Sequence, residues 1–275
     1  IHIQGLEVWQ IGIHKLHKRI ILTVWGSDFL RLSKTKLGIF KPFVSKLYKI
    51  TFATKEVSNK FHEIFNTKEK HTIVKFGLAV FDEIDLIRTK DTSGKAKINI
   101  VVGYNRHPAQ QHLKILNEVV KCKPEIKEMI NVILPLTYGT VDVSYLNEIK
   151  TVLNKSNIEY KLLETFMSEN EMAKLCIDSN IMIQLQKTDA FSGSMQEFMY
   201  AGNIIITGEW LNYAELRENN VFFHEIRDFS EISNLLHRII ENIELEKLKV
   251  QNNFSVLYKL SSWGKNIDKW CNLYN

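Results

Sequence analysis

The sequence predicts an α/β protein with two doubly wound, parallel-sheet domains, and three observations carry that expectation. Apolar runs of strand length alternate with longer stretches of helical period along nearly all of the 275 residues. Helices of about ten to fifteen residues between strands imply βαβ units and parallel sheets. One polar, charged stretch at residues 88–97 (Arg-Thr-Lys-Asp-Thr-Ser-Gly-Lys-Ala-Lys) interrupts the series and buries nothing, so it reads as a linker.

In the first domain, residues 1–90, the sequence opens without Met inside an apolar alternation, Ile1-His2-Ile3. A fold rarely starts in mid-strand, so this domain is expected to be incomplete. Residues 20–25 (Ile-Ile-Leu-Thr-Val-Trp) read as a buried strand ended by Gly26. Residues 48–53 form the next strand, followed by a helix over 55–65 that Thr54 can cap. Residues 72–76 form a third strand, ended by Gly77.

In the second domain, residues 91–260, strand 98–102 ends at Gly103, and a helix over 108–121 begins with Pro108 near its first turn. Strand 131–136, helix 144–153 and strand 160–163 follow. Ser168 and Glu171 form a capping-box pattern for a helix over 169–176. Strand 181–185, helix 194–200 and strand 204–207 come next. The tail from 229 to 260 is mostly of helical period, and residues 263–273 carry two tryptophans on a helical stretch. In such Rossmann-like domains ligands bind at the carboxyl ends of the strands.

Composition narrows the classes. The hydrophobic share of 45% suits a globular chain. The apolar stretches at 20–25 and 203–207 are far short of the ~20 residues a membrane span needs. No signal peptide is visible, and Cys122, Cys176 and Cys271 are widely spaced without metal-ligand spacing. Free thiols in a reducing cytoplasm are the expectation. The net charge of +5 implies mild attraction to an anion. The lysines are dispersed and no nucleic-acid motif is present, so nucleic acid is not expected as a partner.

The residues that carry chemistry should follow strands. Residues 187–202 read Lys-Thr-Asp-Ala-Phe-Ser-Gly-Ser-Met-Gln-Glu-Phe-Met-Tyr-Ala-Gly and follow a buried strand. The Ser192-Gly193-Ser194 turn opens a helix whose free N–H groups suit a diphosphate, and Lys187 can add a full positive charge. The alternative is that the serines merely cap the helix and Lys187 is solvated. Asp189 and Glu197 are separated by seven residues and can both accept hydrogen bonds from sugar hydroxyls.

This pattern resembles the E-x7-E donor motif of family 4 glycosyltransferases, whose second acid opens a phrase similar to Glu197-Phe198-Met199-Tyr200-Ala201-Gly202. The resemblance implies a GT-B architecture with a cleft between the two domains. It places Glu197 at the donor ribose and Asp189, an Asp where the family has Glu, at the transferred sugar. It further implies that residues 261–275 form a last helix crossing back to the first domain.

Residues 101–112 (Val-Val-Gly-Tyr-Asn-Arg-His-Pro-Ala-Gln-Gln-His), together with residues 133–139 (Ile-Leu-Pro-Leu-Thr-Tyr-Gly), resemble the transferases that add 4-acetamido-4,6-dideoxygalactose to lipid-linked intermediates of enterobacterial common antigen. The resemblance puts Gly103, Asn105 and Arg106 by the donor phosphates, where a forked guanidinium fits. The alternative is a plain strand–helix turn with a surface arginine. Val24-Trp25-Gly26-Ser27-Asp28-Phe29 is similar to a Trp-Gly-x-Asp loop of the same transferases. Asp28 is either a general base on an acceptor hydroxyl or a cap, and His2 either lines the cleft or is a satisfied structural residue.

Lys34, Lys36, Lys41, Lys46 and Lys49 interleave with Leu37, Ile39, Phe40, Phe43 and Leu47. That mixture suits either peripheral contact with the inner face of an anionic membrane or a helix packed on the sheet. No Asp-x-Asp triplet is present, so neither a metal nor a cofactor is expected.

The sequence therefore predicts a glycosyltransferase of the hexosyltransferase type. It would move a sugar from a nucleoside diphosphate donor to a glycan, expected to be lipid-linked, in bacterial surface polysaccharide synthesis. Two alternatives stand beside it. One is a non-catalytic nucleotide-sugar or glycan binding module. The other is a different Rossmann-type sugar-nucleotide enzyme, although the G-x-G-x-x-G fingerprint is absent.

Overall fold

The computed structural model describes residues 1–88, 97–139 and 142–275. Residues 89–96 of the expected linker lie outside the described residues. The chain forms two compact units, one of Ile1–Gly77, Thr188–Ser192 and Leu260–Asn275, the other of Leu78–Lys187 and Gly193–Lys259.

The first unit holds a four-stranded parallel sheet, β1 (His2–Gln4), β2 (Ile21–Val24), β3 (Lys49–Phe52) and β4 (His71–Ile73), in spatial order β1-β2-β3-β4. Its helices are α1 (Ser27–Leu30), α2 (Lys34–Val44) and α3 (Lys55–Phe65), with a 3-10 segment at Val8–Lys15. Leu22, Ile50 and Phe52 of the strands pack against Phe40 and Phe43 of α2 and Phe61 of α3. The α3 boundaries follow from local chemistry. Thr54 accepts the Val57 N–H, and Asn66, at φ 52°, ends the helix in the left-handed conformation.

One expectation for this unit needs correction. The strand predicted over 72–76 is His71–Ile73. The Lys75 carbonyl is taken by the Trp270 indole N–H at 2.9 Å, so the backbone there no longer serves the sheet. Of the two readings of the basic run, the helix packed on the sheet fits its apolar residues: Leu37, Phe40, Phe43 and Leu47 are buried in the core, and only Ile39 of the five is exposed.

The second unit begins with α4 (Val80–Arg88) and continues β5 (Ile98–Val102), α5 (His112–Val119), α6 (Pro124–Met129), β6 (Ile130–Pro135), α7 (Val143–Asn154), β7 (Glu159–Leu163), α8 (Glu169–Asp178), β8 (Ile181–Gln184), α9 (Gly193–Ala201), β9 (Ile204–Gly208), α10 (Ala214–Glu218), β10 (His224–Ile226), α11 (Glu231–Glu241), α12 (Ile243–Val250) and α13 (Asn253–Ser261). The strands form a six-stranded parallel sheet in order β10-β9-β8-β5-β6-β7. Ile100, Val102, Val132, Leu134, Ile181, Ile183, Ile204 and Ile206 are fully buried, as strands covered on both faces require. The capping box of Ser168 and Glu171 starts α8.

The last helix, α14 (Trp263–Tyr274), belongs to the first unit, where Trp270 and Leu273 pack with Ile21 and Val74. Among the described residues, no helix is long and apolar enough to cross a membrane.

Candidate functional site

The sheet of the second unit has one switch point. From β5 the chain moves outward to β6 and β7, then returns to the other side of β5 for β8, β9 and β10. The switch point therefore lies between β5 and β8, and doubly wound sheets bind ligands at the carboxyl ends of the strands on either side of such a point. The loops after β5 and β8 contain Gly103, Asn105, Arg106 and Lys187.

The loop after β5 is not the regular helix start that the sequence suggested. Residues Pro108–Gln110 form a single 3-10 turn, Gln111 adopts φ 60°, and α5 begins at His112. The break has a cause in tertiary bonding. The Gln111 side chain donates to the Leu185 carbonyl at 2.6 Å, and the Ala109 carbonyl accepts the Lys187 N–H at 3.0 Å. A continuous helix would withdraw both groups.

Gln186 is the hub of the contacts between these loops. Its side-chain oxygen accepts from Gln110 Nε2 at 3.0 Å and from the Tyr104 hydroxyl at 3.1 Å, and its carbonyl accepts from the Trp210 indole at 2.9 Å. Gln186 is fully buried. Gln186 Nε2, Gln110 Oε1 and Thr207 Oγ1 are buried without a partner among the described residues. Such groups carry a desolvation cost and concentrate at functional sites. Sequence reasoning missed Gln110, Gln111 and Gln186, because a glutamine acquires meaning only from distant partners. The faint signal was Gln184-Leu185-Gln186, polar residues closing an apolar strand.

Gly103 sits at φ +65°, and a Cβ there would lie 2.7 Å from His112 Nε2. His112 is fully buried, with Nδ1 3.3 Å from the Tyr145 hydroxyl. Burial pushes its pKa down to about 4, partly offset by the Asn105 backbone, so the ring is neutral at pH 7.

Asn105 is buried and accepts the His107 N–H at 2.9 Å. Arg106 reaches across to donate from Nη2 to the Glu164 carbonyl at 3.2 Å, while its Nε is buried without a partner among the described residues.

Glu197 lies on α9 and is only 9% exposed. Burial first, and the charge of Glu169 second, push its pKa up to about 7. Its charge in turn helps raise Tyr138 and Cys176, both raised mainly by burial. Glu197, Glu169 and Tyr138 are thus one electrostatic neighbourhood. Lys187 is exposed, and Gly193 and Ser194 begin α9 half-exposed.

The remaining candidates belong to the first unit. Asp189 Oδ2 accepts the Ser192 N–H at 2.9 Å, closing a turn. Gly26, at φ +96°, allows this segment its approach, since a Cβ on it would stand 2.2 Å from the Ala190 Cβ. Arg31 Nε donates to Thr188 Oγ1 at 3.0 Å, and Lys75 Nζ lies 4.9 Å from the Phe191 ring centre. Asp28 Oδ2 accepts the Leu6 N–H at 3.0 Å, and Oδ1 is buried without a partner among the described residues. Burial raises the Asp28 pKa against the lowering effect of backbone donors. His2 is satisfied by the Tyr274 hydroxyl at 2.6 Å and Thr23 Oγ1 at 2.7 Å. The structure therefore groups Gly103, Asn105, Arg106, Lys187, Gly193, Ser194 and Glu197 in one unit, and Asp28, Asp189 and Ser192 in the other.

Among the described residues, no cluster of three or more His, Cys, Asp or Glu is arranged to hold a metal ion.

No protein-family model matches the sequence, and no curated protein matches it. Solved structures do match the fold. HepE from Anabaena, in complex with UDP and glucose, aligns with a TM-score of 0.78 and 13% identity, over 99% of this chain and 77% of that one. Sucrose-phosphate synthase from Thermosynechococcus elongatus aligns at 0.77 and 12%, over 100% and 72%. A UDP-forming α,α-trehalose-phosphate synthase from Burkholderia xenovorans, in complex with glucose-6-phosphate, aligns at 0.75 and 9%, over 100% and 72%. The chain has the α/β GT-B fold of these glycosyltransferases, with two parallel sheets.

Proposed function

We propose that this chain is a glycosyltransferase that binds a nucleoside diphosphate sugar at the β5/β8 switch point of its second unit. The observation that carries the reading is Glu197. A carboxyl buried to 9% exposure beside the charge of Glu169 is costly to keep, and a ligand diol that donates two hydrogen bonds would repay that cost. In this reading Glu197 takes the ribose hydroxyls. The α9 N-terminus at Gly193 and Ser194, with Lys187 and Arg106, holds the diphosphate, and Gly103 and Asn105 shape the floor beneath it.

The chemistry is nucleophilic attack by an acceptor hydroxyl on the anomeric carbon. The bond to the diphosphate oxygen breaks, its electron pair leaves with the diphosphate, and those fixed cations and N–H groups stabilise the charge. Asp189 is assigned to the transferred sugar and Asp28 to the acceptor proton. A carboxyl whose pKa is raised by burial makes a stronger base. A UDP-linked hexose is the proposed donor, supported by HepE, whose structures contain UDP and UDP-glucose. A lipid-linked glycan of a bacterial surface polysaccharide is the proposed acceptor, on the strength of the similarity to the antigen transferases.

One observation favours a second reading, a binding module without turnover. Asp189 is the shorter acid, and its Oδ2 is engaged by the Ser192 N–H. Incubating the chain with UDP-glucose separates the two. Release of UDP, abolished by Asp189→Asn with UDP affinity retained, supports transfer. Tight UDP binding without any release supports the module.

A further inference from the structure

Positive charge is concentrated in one stretch of this chain. Residues 8–55 contain ten Lys and Arg against a single acid, Asp28, a net of +9 over 48 residues, so the other 227 residues sum to −4. Asp28 is bonded to the Leu6 backbone, whereas Lys15, Lys18, Arg19, Lys34, Lys36 and Lys41 are all exposed.

Beside these charges stands an apolar tip. The 3-10 segment Val8–Lys15 leaves Trp9 72% exposed and Val8 60% exposed, and Leu16 just beyond it is 81% exposed. The segment is firmly seated. The Gln10 side chain is buried and accepts the Glu7 N–H at 2.9 Å, Ile11 and Ile13 pack on the core, and the His14 ring lies 6.4 Å from Phe43 of α2. The outward side chains are thus presented by a fixed backbone.

An exposed indole and two aliphatic side chains flanked by cations have a solvent that suits them, the headgroup layer of an anionic bilayer. A nucleic acid would match the charge but would leave the apolar tip unused. We infer that the surface of residues 8–19 docks on an anionic lipid bilayer, with Val8, Trp9 and Leu16 entering the headgroup region and Lys15, Lys18 and Arg19 against lipid phosphates. Helix α2 adds charge through Lys34, Lys36 and Lys41 while its apolar face stays in the core. The inference places the proposed lipid-linked acceptor within reach of the first unit, but it stands apart from the donor reading, whose residues at the switch point lie in the second.

Co-sedimentation of the whole chain with vesicles tests it, using phosphatidylcholine alone and phosphatidylcholine mixed with phosphatidylglycerol. Binding is expected only to the mixed vesicles, to weaken with salt, and to fall on the order of fivefold for each of Lys15→Ser, Lys18→Ser and Arg19→Ser. Brominated lipid should quench part of the tryptophan fluorescence, and Trp9→Phe should remove that part. Circular dichroism and UDP affinity of these surface variants, unchanged from the parent, show that fold and donor site are intact. Equal binding to both vesicle types, or no binding to either, would overturn the inference. So would binding that the three basic substitutions leave unaltered, or retention on an oligonucleotide alone.

Discussion

The Cα of Gly103 lies against the imidazole of His112, so close that a methyl group at position 103 would stand 2.7 Å from Nε2. His112 is fully buried at the start of α5, and Gly103 ends β5 at φ +65°. The pair fixes how the loop leaves the sheet at the switch point. Gly103→Ala is expected to destabilise the protein by about 1–3 kcal/mol through strain and clash together, and to weaken UDP binding. Thermal melts measure the first effect. A Gly103→Ala/His112→Ala double-mutant cycle should show coupling, because removing the ring removes the clash but not the strained φ.

Glu197 gives a prediction with opposite signs for stability and binding. Its folded pKa, about 7, is raised above the ordinary 4.5. Its contribution to stability is therefore fully present below pH 4.5 and is lost as pH rises through 7. Glu197→Gln is expected to be more stable than the parent at pH 8, by roughly 1–3 kcal/mol, and no more stable at pH 4. The same variant should bind UDP at least tenfold more weakly at pH 8. Urea titrations at the two pH values check the stability half.

His112 and His71 act in the other direction. Burial lowers both pKa values from 6.5 to about 4. Folded protein then binds fewer protons than unfolded chain between those values, so their contribution is complete above pH 6.5 and is lost as pH falls through 4. The loss is up to about 3 kcal/mol for His112 and smaller for half-exposed His71, whose charge water screens. His71 is held by Ser58 Oγ at 2.8 Å and Thr67 Oγ1 at 3.0 Å. Replacing His112 with Gln should flatten the pH dependence of the urea midpoint between 4 and 6.5.

Gly26 makes the corresponding close approach in the first unit, with Ala190 2.2 Å from the position its Cβ would take. Gly26→Ala must displace the segment that carries Asp189. The expectation is a loss of about 2 kcal/mol or more, together with a fall in kcat for UDP release that exceeds any change in UDP affinity.

How much of this was legible in the sequence depends on where each residue's partners lie. Strand β5 was predicted residue for residue, because Ile98 to Val102 is β-branched at every position but Asn99 and is closed by glycine. Helix α3 was equally legible, since the Thr54 cap is local. Strand β10 was not, because His224-Glu225-Ile226 carries no apolar run and pairs only because β9 is already in place. The break at Gln111 and the hub at Gln186 escaped for the same reason, since both are made by hydrogen bonds across about 75 residues of chain. Glu197 was a candidate on its motif spacing alone, but its burial and its coupling to Glu169 needed the fold. The apolar residues of the basic run showed the converse limit. Their composition suited a membrane element and a packed helix alike, and only the fold shows that Phe40 and Phe43 turn inward while Val8, Trp9 and Leu16 stay outside.

The most direct test of the central claim is calorimetric titration of UDP into the whole chain and into Glu197→Ala, with GDP and dTDP alongside. One binding site for UDP is expected, tighter than for the other two nucleotides, and lost in the variant while its circular dichroism is unchanged. A folded parent chain that binds none of the three, or a Glu197→Ala variant that binds UDP as well as the parent, would contradict it.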